Sequence, residues 1–270
     1  LIMLDESYIK LGLLFLNSLY KNCNLGKIKT IYVGDLGLSD NSKSLLKYYY
    51  DKISIINSLI KLNSTHIHSN NWVKAVSQKT KTLLKLVQNM KESIVLLDVD
   101  MIIMDDFYKQ IDRNYDLQVC KREKPSFRHS LVNRKDKVNK FKLEYIASFL
   151  IINNKETVPF LMDWISMIQQ LIERKIAPAY ETPALCLMIS KYQSQLKIKE
   201  MDERIVSCCN NYYSDLTSII HMKSIKNNKD NIRYNKEDDD LPTRQLKLRI
   251  KMIKNVKLES IFNLVDEFPL

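Results

Sequence analysis

Short apolar runs alternate with longer segments of helical periodicity over the first third of the chain. Three runs, at Leu1–Leu4, Lys29–Val33 and Ile53–Ile56, predict buried strands, and amphipathic helices are predicted between them, ending at Cys23 and spanning Ser39–Tyr50. A strand–helix–strand–helix–strand order is typical of parallel sheets with right-handed crossovers. The pattern therefore predicts an α/β fold.

The most apolar strand candidate is interrupted by two carboxylates. Ile94-Val95-Leu96-Leu97 is followed by Asp98, Val99 and Asp100, and the apolar character resumes at once. A continuous apolar run predicts a strand that is buried on both faces. Because burying a charge is costly, we expect this strand to end near Asp98. Both carboxylates then emerge at the carboxyl edge of the sheet, where open α/β sheets bind ligands.

The remaining two thirds of the chain continue the mixed pattern. Further strands are predicted at Leu117–Cys120, Tyr145–Ile152, Lys197–Met201 and Ile219–Ile220, and further helices at Val73–Met90, Val158–Arg174 and Thr182–Tyr192, with Thr182 as a cap. The segment Lys121–Lys142 is dense in charge and has no apolar period, which predicts a long loop. Two parts result, 1–225 and 226–270; the second comprises a charged loop and the basic amphipathic helix Arg244–Lys257.

Charge and composition limit the classes of partner that we expect the chain to bind. The 270 residues carry a formal net charge of +11, and 45% of them are hydrophobic, enough for a sizeable core. A basic surface is compatible with phosphate-bearing partners. Aromatic and basic residues are nowhere interleaved as they are in single-strand binders, so we expect no nucleic-acid partner.

Cysteine usage and hydropathy predict a cytoplasmic protein. The five cysteines are odd in number and scattered, without metal-ligand spacing, which predicts reduced thiols. No apolar run approaches the roughly 20 residues of a membrane span. Arg244–Lys257 could lie on the inner face of an anionic membrane; the alternative is a helix packed on the domain with its lysines in solvent.

The Asp-x-Asp pair carries the most specific chemistry in the chain. Two carboxylates spaced two apart at a strand end can reach one hard cation, and Mg²⁺ and Mn²⁺ often bridge such carboxylates to substrate phosphates. The alternative is a pair of solvated loop aspartates. Ile94–Phe107 also resembles the D-x-D segment of GT-A-fold glycosyltransferases, especially those similar to glycosyltransferase family 8.

This resemblance extends in order over about residues 1–225. It implies a GT-A, Rossmann-like fold with a mixed, mainly parallel central sheet flanked by helices, to which we add a helical C-terminal extension. It also implies a hexosyltransferase of cell-surface glycan biosynthesis. Such an enzyme uses Mn²⁺ or Mg²⁺, a nucleotide-diphosphate sugar that we expect to be uridine-linked, and a glycan or lipid-linked acceptor.

The resemblance also assigns residues to the donor nucleotide. Asp5-Glu6-Ser7-Tyr8 resembles the family's D-x-x-Y segment, so Asp5 would meet the base edge and Tyr8 would stack on its ring; the alternative for Tyr8 is an aromatic packed on the core. Lys79 would face the diphosphate, with two other lysines of its helix as alternatives. Asp98 and Val99 complete the donor-binding set within the D-x-D segment.

Three further segments match the family's pattern less closely. His221 resembles the histidine that completes the family's metal site with Asp98 and Asp100. The resemblance also implies a catalytic role for Asp100, as a ligand of the metal that stabilises the leaving group. Glu181, in a segment resembling D-Q-x-A-L, would position the sugar or the attacking hydroxyl; the alternative is an acid that complements a helix dipole. Ala147-Ser148-Phe149 stands where the family has N-S-G, so the asparagine and the glycine are both replaced.

Two other functions stay open at this point. A haloacid-dehalogenase-like phosphatase would use Asp98 as its nucleophile, although Met101 follows the second aspartate and a long βαβαβ run precedes the first. The replaced N-S-G segment is also compatible with an inactive relic that binds a nucleotide sugar.

Overall fold

A computed structural model describes residues 1–58, 60–62, 70–129, 140–174, 181–207 and 216–221. The predicted C-terminal part 226–270, including Arg244–Lys257, lies outside the described residues, as do Cys208, Cys209 and Tyr180. The division into two parts at residue 225 therefore stays a prediction. Within the described part of the chain, no helix combines the length and the hydrophobicity that a membrane span requires.

Strands and helices follow the predicted order closely. The strands are β1 (Ile2–Leu4), β2 (Ile31–Asp35), β3 (Ile53–Asn57), β4 (Ile94–Leu97), β5 (Met101–Ile103), β6 (Leu117–His129), β7 (Lys140–Ile152), β8 (Ile198–Asp202), β9 (Val206–Ser207) and β10 (Ile219–His221). The helices are α1 (Ile9–Asn22), α2 (Asp40–Tyr49), α3 (Asn70–Gln88), α4 (Val158–Glu173) and α5 (Glu181–Tyr192).

A mixed, mainly parallel sheet forms the centre of the fold, as predicted. β1, β2 and β3 pair in parallel, and a second group has the order β4-β7-β6-β8, in which β7 runs antiparallel to its neighbours. Backbone hydrogen bonds join the two groups: the Leu1 nitrogen donates to Val95 O at 2.6 Å and the Leu97 nitrogen donates to Leu1 O at 3.0 Å. The strand order is therefore β3-β2-β1-β4-β7-β6-β8.

β4 is buried on both faces, as its apolar run predicts. Leu97 packs into a core cluster with α1 and α2, whereas Leu96 packs into a second cluster with α3, α4 and α5. Neither face of β4 can hold a solvated charge. The strand ends at Leu97, so the partly exposed Asp98 is the first residue beyond the double burial.

A small second sheet brings the end of the described chain to the centre of the fold. β10 pairs antiparallel with β5 and parallel with β9. In this register His221 lies opposite Met101, the residue that follows Asp100. Pairing of strands therefore places an imidazole beside a carboxylate 121 positions away in sequence.

Two details of the sequence interpretation are wrong. The predicted loop Lys121–Lys142 is replaced at both ends by the antiparallel strands β6 and β7, with register shifts between Val119 and Ser126. After Lys121, β7 is the only described strand that pairs with β6. Backbone hydrogen bonds therefore form this two-stranded ribbon, and its sequence needs no periodic apolar residues. Thr182 is not a cap, because α5 already begins at Glu181.

Candidate functional site

Three predicted ligands converge at the carboxyl edge of β4. Asp98, Asp100 and His221 each offer one ligand atom, and these atoms lie within 4.8 Å of one another. His221 Nε2 lies 3.1 Å from Asp100 Oδ1 and 3.8 Å from Asp98 Oδ2. The imidazole side chain is 1% exposed, whereas those of Asp98 and Asp100 are 29% and 23% exposed. The cluster therefore has a buried floor and carboxylates that solvent can reach.

This donor set fits a hard or borderline divalent cation. Carboxylate oxygens suit Mg²⁺ and Mn²⁺, and imidazole nitrogen is compatible with first-row transition metals. The buried imidazole faces two carboxylates, and a cation between the three side chains would offset the repulsion between the two acids. The residues present can thus hold the metal that the sequence predicts.

Lys79 links this cluster to the start of α5. Its Nζ lies 2.6 Å from Asp98 Oδ1 and 2.6 Å from Glu181 Oε1, and its side chain is 8% exposed. The rival lysines of α3, Lys81 and Lys85, are exposed. Burial disfavours the charged form of Lys79, but the two carboxylates outweigh it and raise the pKa of this lysine above its ordinary value. Lys79 therefore carries a positive charge at neutral pH.

A hydrogen bond from Trp164 on α4 anchors the start of α5. Glu181 is the first residue of the helix, and its carbonyl oxygen accepts a hydrogen bond from Trp164 Nε1 at 3.1 Å. Its side chain is 14% exposed and bonded to Lys79. An acid in the first turn also complements the helix dipole. The structural and the functional interpretations of Glu181 are thus compatible with each other.

Asp5 and Tyr8 lie on the turn that follows β1. Asp5 is buried, and its Oδ1 accepts hydrogen bonds from Ser7 Oγ at 2.6 Å and from the Tyr8 amide at 3.1 Å, so it caps the short 3-10 helix Glu6–Tyr8. Burial raises the pKa of Tyr8 to about 12, and the negative charges of Asp100, Asp5 and Asp98 add to this rise. Tyr8 is therefore a neutral ring at the edge of the acidic cluster, partly packed on the core.

The segment Ala147-Ser148-Phe149 has two faces. Phe149 is fully buried in the core, with its ring 6.1 Å from that of Phe107, and so the bulky residue that replaces the family's glycine does not stand in the site. Ser148 faces the ligands: its Oγ lies 3.1 Å from His221 Nδ1, and its carbonyl accepts from the Asp98 amide at 3.2 Å. Sequence reasoning missed this role of Ser148, which the alternation along a strand could have indicated.

The remaining predicted donor residue, Val99, lies between the two aspartates. It is partly buried and packs on the same core cluster as Phe149. Its side chain helps to seat the D-x-D turn on the core; a contact between Val99 and a donor stays a prediction.

Comparison of the sequence and the structure with those of known proteins assigns the fold. No family model and no curated protein sequence matches the chain. The galactosyltransferase LgtC, solved with donor and acceptor sugar analogs, superposes with a TM-score of 0.54 at 14% identity, covering 92% of this chain and 93% of LgtC. The chain has a GT-A-like fold. The expected fold class is thereby confirmed.

Two larger glycosyltransferases superpose on the same GT-A-like fold. GlyE of Streptococcus pneumoniae TIGR4 gives a TM-score of 0.54 at 13% identity over 91% of this chain, and the bifunctional WbbM gives 0.51 at 12% over 83%. The chain spans 59% of GlyE and 45% of WbbM. Identities this low concern the fold alone, so the chemistry has to be argued from the site.

Proposed function

We propose that this chain is a metal-dependent glycosyltransferase. It moves a sugar from a nucleotide-diphosphate sugar, which we infer to be UDP-linked, to a hydroxyl of a glycan or lipid-linked acceptor. The convergence of Asp98, Asp100 and His221 at the carboxyl edge of the central sheet is the observation that carries the proposal. The likeness to LgtC, a galactosyltransferase, supports it.

Asp98, Asp100 and His221 would hold Mn²⁺ or Mg²⁺. Such an ion, when bound, supplies Lewis-acid stabilisation to the negative charge that develops on a diphosphate leaving group. Lys79 presents a second, fixed positive charge directly beside Asp98. A charged, buried lysine can bind a diphosphate oxygen and lower the free energy of the departing nucleotide.

Glu181 is placed to orient the sugar or the attacking hydroxyl. Its backbone is held by Trp164 and its carboxylate by Lys79, so the side chain is fixed before any substrate arrives. Tyr8 is neutral at physiological pH and offers a ring on which a base can stack. Asp5 would meet the base edge and Val99 would contact the donor beside the D-x-D turn.

A thermal-shift experiment with UDP and Mn²⁺ tests the proposal. In the wild type, UDP should raise the melting temperature only when Mn²⁺ is present, with a stabilisation of about 2.7 kcal/mol at a ligand concentration 100 times Kd. Asp100→Ala should abolish this response. Asp105→Ala is the matched control, because Asp105 is an exposed aspartate five positions on that pairs with Lys109 at the surface.

Either of two results would refute the proposal. One is a UDP-induced shift that is the same without Mn²⁺, and the other is an Asp100→Ala protein that responds like the wild type. Release of UDP from a panel of UDP-sugars then separates an active transferase from an inactive relic, since the relic would bind donors without consuming them. The GT-A-like fold does not favour the phosphatase alternative, which should instead trap beryllofluoride on Asp98.

Contact with an anionic membrane through Arg244–Lys257 stays a separate part of the proposal. It would suit a lipid-linked acceptor. Pelleting of the protein with anionic liposomes, with and without this segment, tests it; equal pelleting of both forms would refute it.

A further inference from the structure

Ser148 contacts two of the three ligand residues at once. Its hydroxyl oxygen lies 3.1 Å from His221 Nδ1, and its backbone carbonyl accepts from the Asp98 amide at 3.2 Å. Ser148 is buried on β7, which pairs with β4 as far as Leu97. The serine therefore ties together ligands that come from β4 and from the distant β10.

Ser148 and Asp100 contact the two different nitrogens of the His221 ring. His221 Nε2 lies 3.1 Å from Asp100 Oδ1, whereas Nδ1 lies 3.1 Å from Ser148 Oγ. The imidazole is thus held between the acidic cluster and a buried hydroxyl, and these two contacts fix the direction of its ring.

We propose that Ser148 is a positioning residue that directs His221 Nε2 toward the metal that Asp98 and Asp100 would share. The inference rests on the proposed metal-dependent function. A hydroxyl can donate or accept a hydrogen bond, so Ser148 can hold the imidazole whichever ring nitrogen carries the proton. Hydrogen-bonded partners of this kind typically contribute 10–100-fold to metal affinity.

Mn²⁺ binding measured by electron paramagnetic resonance tests the energetic role. Ser148→Ala should weaken Mn²⁺ binding about 10–100-fold, and Ser148→Thr, which keeps the hydroxyl, should restore it to within about threefold of the wild type. If Ser148→Ala does not fold, Ser148→Cys replaces it, since a thiol is a weaker hydrogen-bonding group. Ser42→Ala is the matched control, because Ser42 is also buried and donates to Glu6 at 2.8 Å on another part of the fold.

The two proposals fail in different ways. Wild-type Mn²⁺ affinity in Ser148→Ala would overturn the role of Ser148 and leave the metal-dependent transferase standing. A wild type that binds no Mn²⁺ would overturn the transferase proposal and this inference together.

Discussion

Replacing Lys79 by methionine isolates the charge that bridges Asp98 and Glu181. Methionine keeps the apolar length of the side chain and deletes the ammonium group, which lies 2.6 Å from each carboxylate. Two partly buried acids then face each other without a counter-charge. The expected result is a less stable protein, because removing one partner of a buried ion pair costs about 3–5 kcal/mol.

The exposure of the two acids reduces this figure. Glu181 is 14% exposed and Asp98 is 29% exposed, so solvent screens part of the lost attraction. We expect a loss of about 2–3 kcal/mol in the free energy of unfolding. At roughly 2–4 °C per kcal/mol for a domain of this size, the melting temperature should fall by about 4–12 °C.

Urea unfolding of Lys79→Met beside Lys81→Met measures the effect. Lys81 lies two positions on in the same helix and is exposed, so its substitution should change stability by no more than about 0.5 kcal/mol. Equal stability of the two variants would refute the bridging role. Metal binding gives a second, opposite signature: Lys79→Met should bind Mn²⁺ more tightly, since a competing cation is gone, and bind UDP more weakly.

The pH dependence of this loss follows from the pKa of Lys79. A pKa raised in the folded state gives a contribution that is fully present below the unfolded value of 10.5 and is lost as pH rises through the higher folded value. The stability difference between wild type and Lys79→Met should therefore stay constant between pH 7 and 9. A difference that vanishes within this window would contradict the assignment of the charge.

Two further predictions concern the support of the site and the thiols. Trp164→Phe removes the hydrogen bond to Glu181 O and should lower the free energy of unfolding in urea by about 1–3 kcal/mol. Met162→Leu, at an exposed position of the same helix, is the control and should leave stability unchanged. Equal stability of the two variants would contradict the anchoring role of Trp164. Burial raises the pKa of Cys23 to about 12 from an ordinary 9.0, so at pH 8 its thiolate fraction falls about 1000-fold. After brief treatment with iodoacetamide, mass spectrometry should find Cys23 unmodified in the native protein and alkylated in urea. Rapid alkylation of Cys23 in the native protein would contradict this prediction.

Local sequence determines the central strand but not the site's internal contacts. The position of Asp98 could be predicted because β4 is apolar on both faces, and a charge there can only follow the strand. His221 could be found through its order after the D-x-D pair, within the family resemblance. Its contact with Ser148 depends on the registers of β7 and β10, which pair with other strands far away in sequence, and no local pattern specifies them.

The ion pairs and the ribbon show the same limit. The sequence gives no means of choosing among the lysines of α3, whereas the structure buries Lys79 and leaves Lys81 and Lys85 exposed. The pairing of Lys79 with Glu181 joins two helices that have no sequence signal for each other. The β6–β7 ribbon escaped prediction because main-chain hydrogen bonds form it, and these leave no periodicity in the side chains.

The pairing of β10 with β5 has a consequence for biosynthesis. Asp98 and Asp100 leave the ribosome more than a hundred residues before His221, the third member of their cluster. A nascent chain can form β4 and its neighbours early, yet the cluster of Asp98, Asp100 and His221 stays incomplete until the residues that follow β9 have been translated and have docked. Under the proposed function, such a chain would bind a metal ion at full affinity only once nearly the whole sheet has formed.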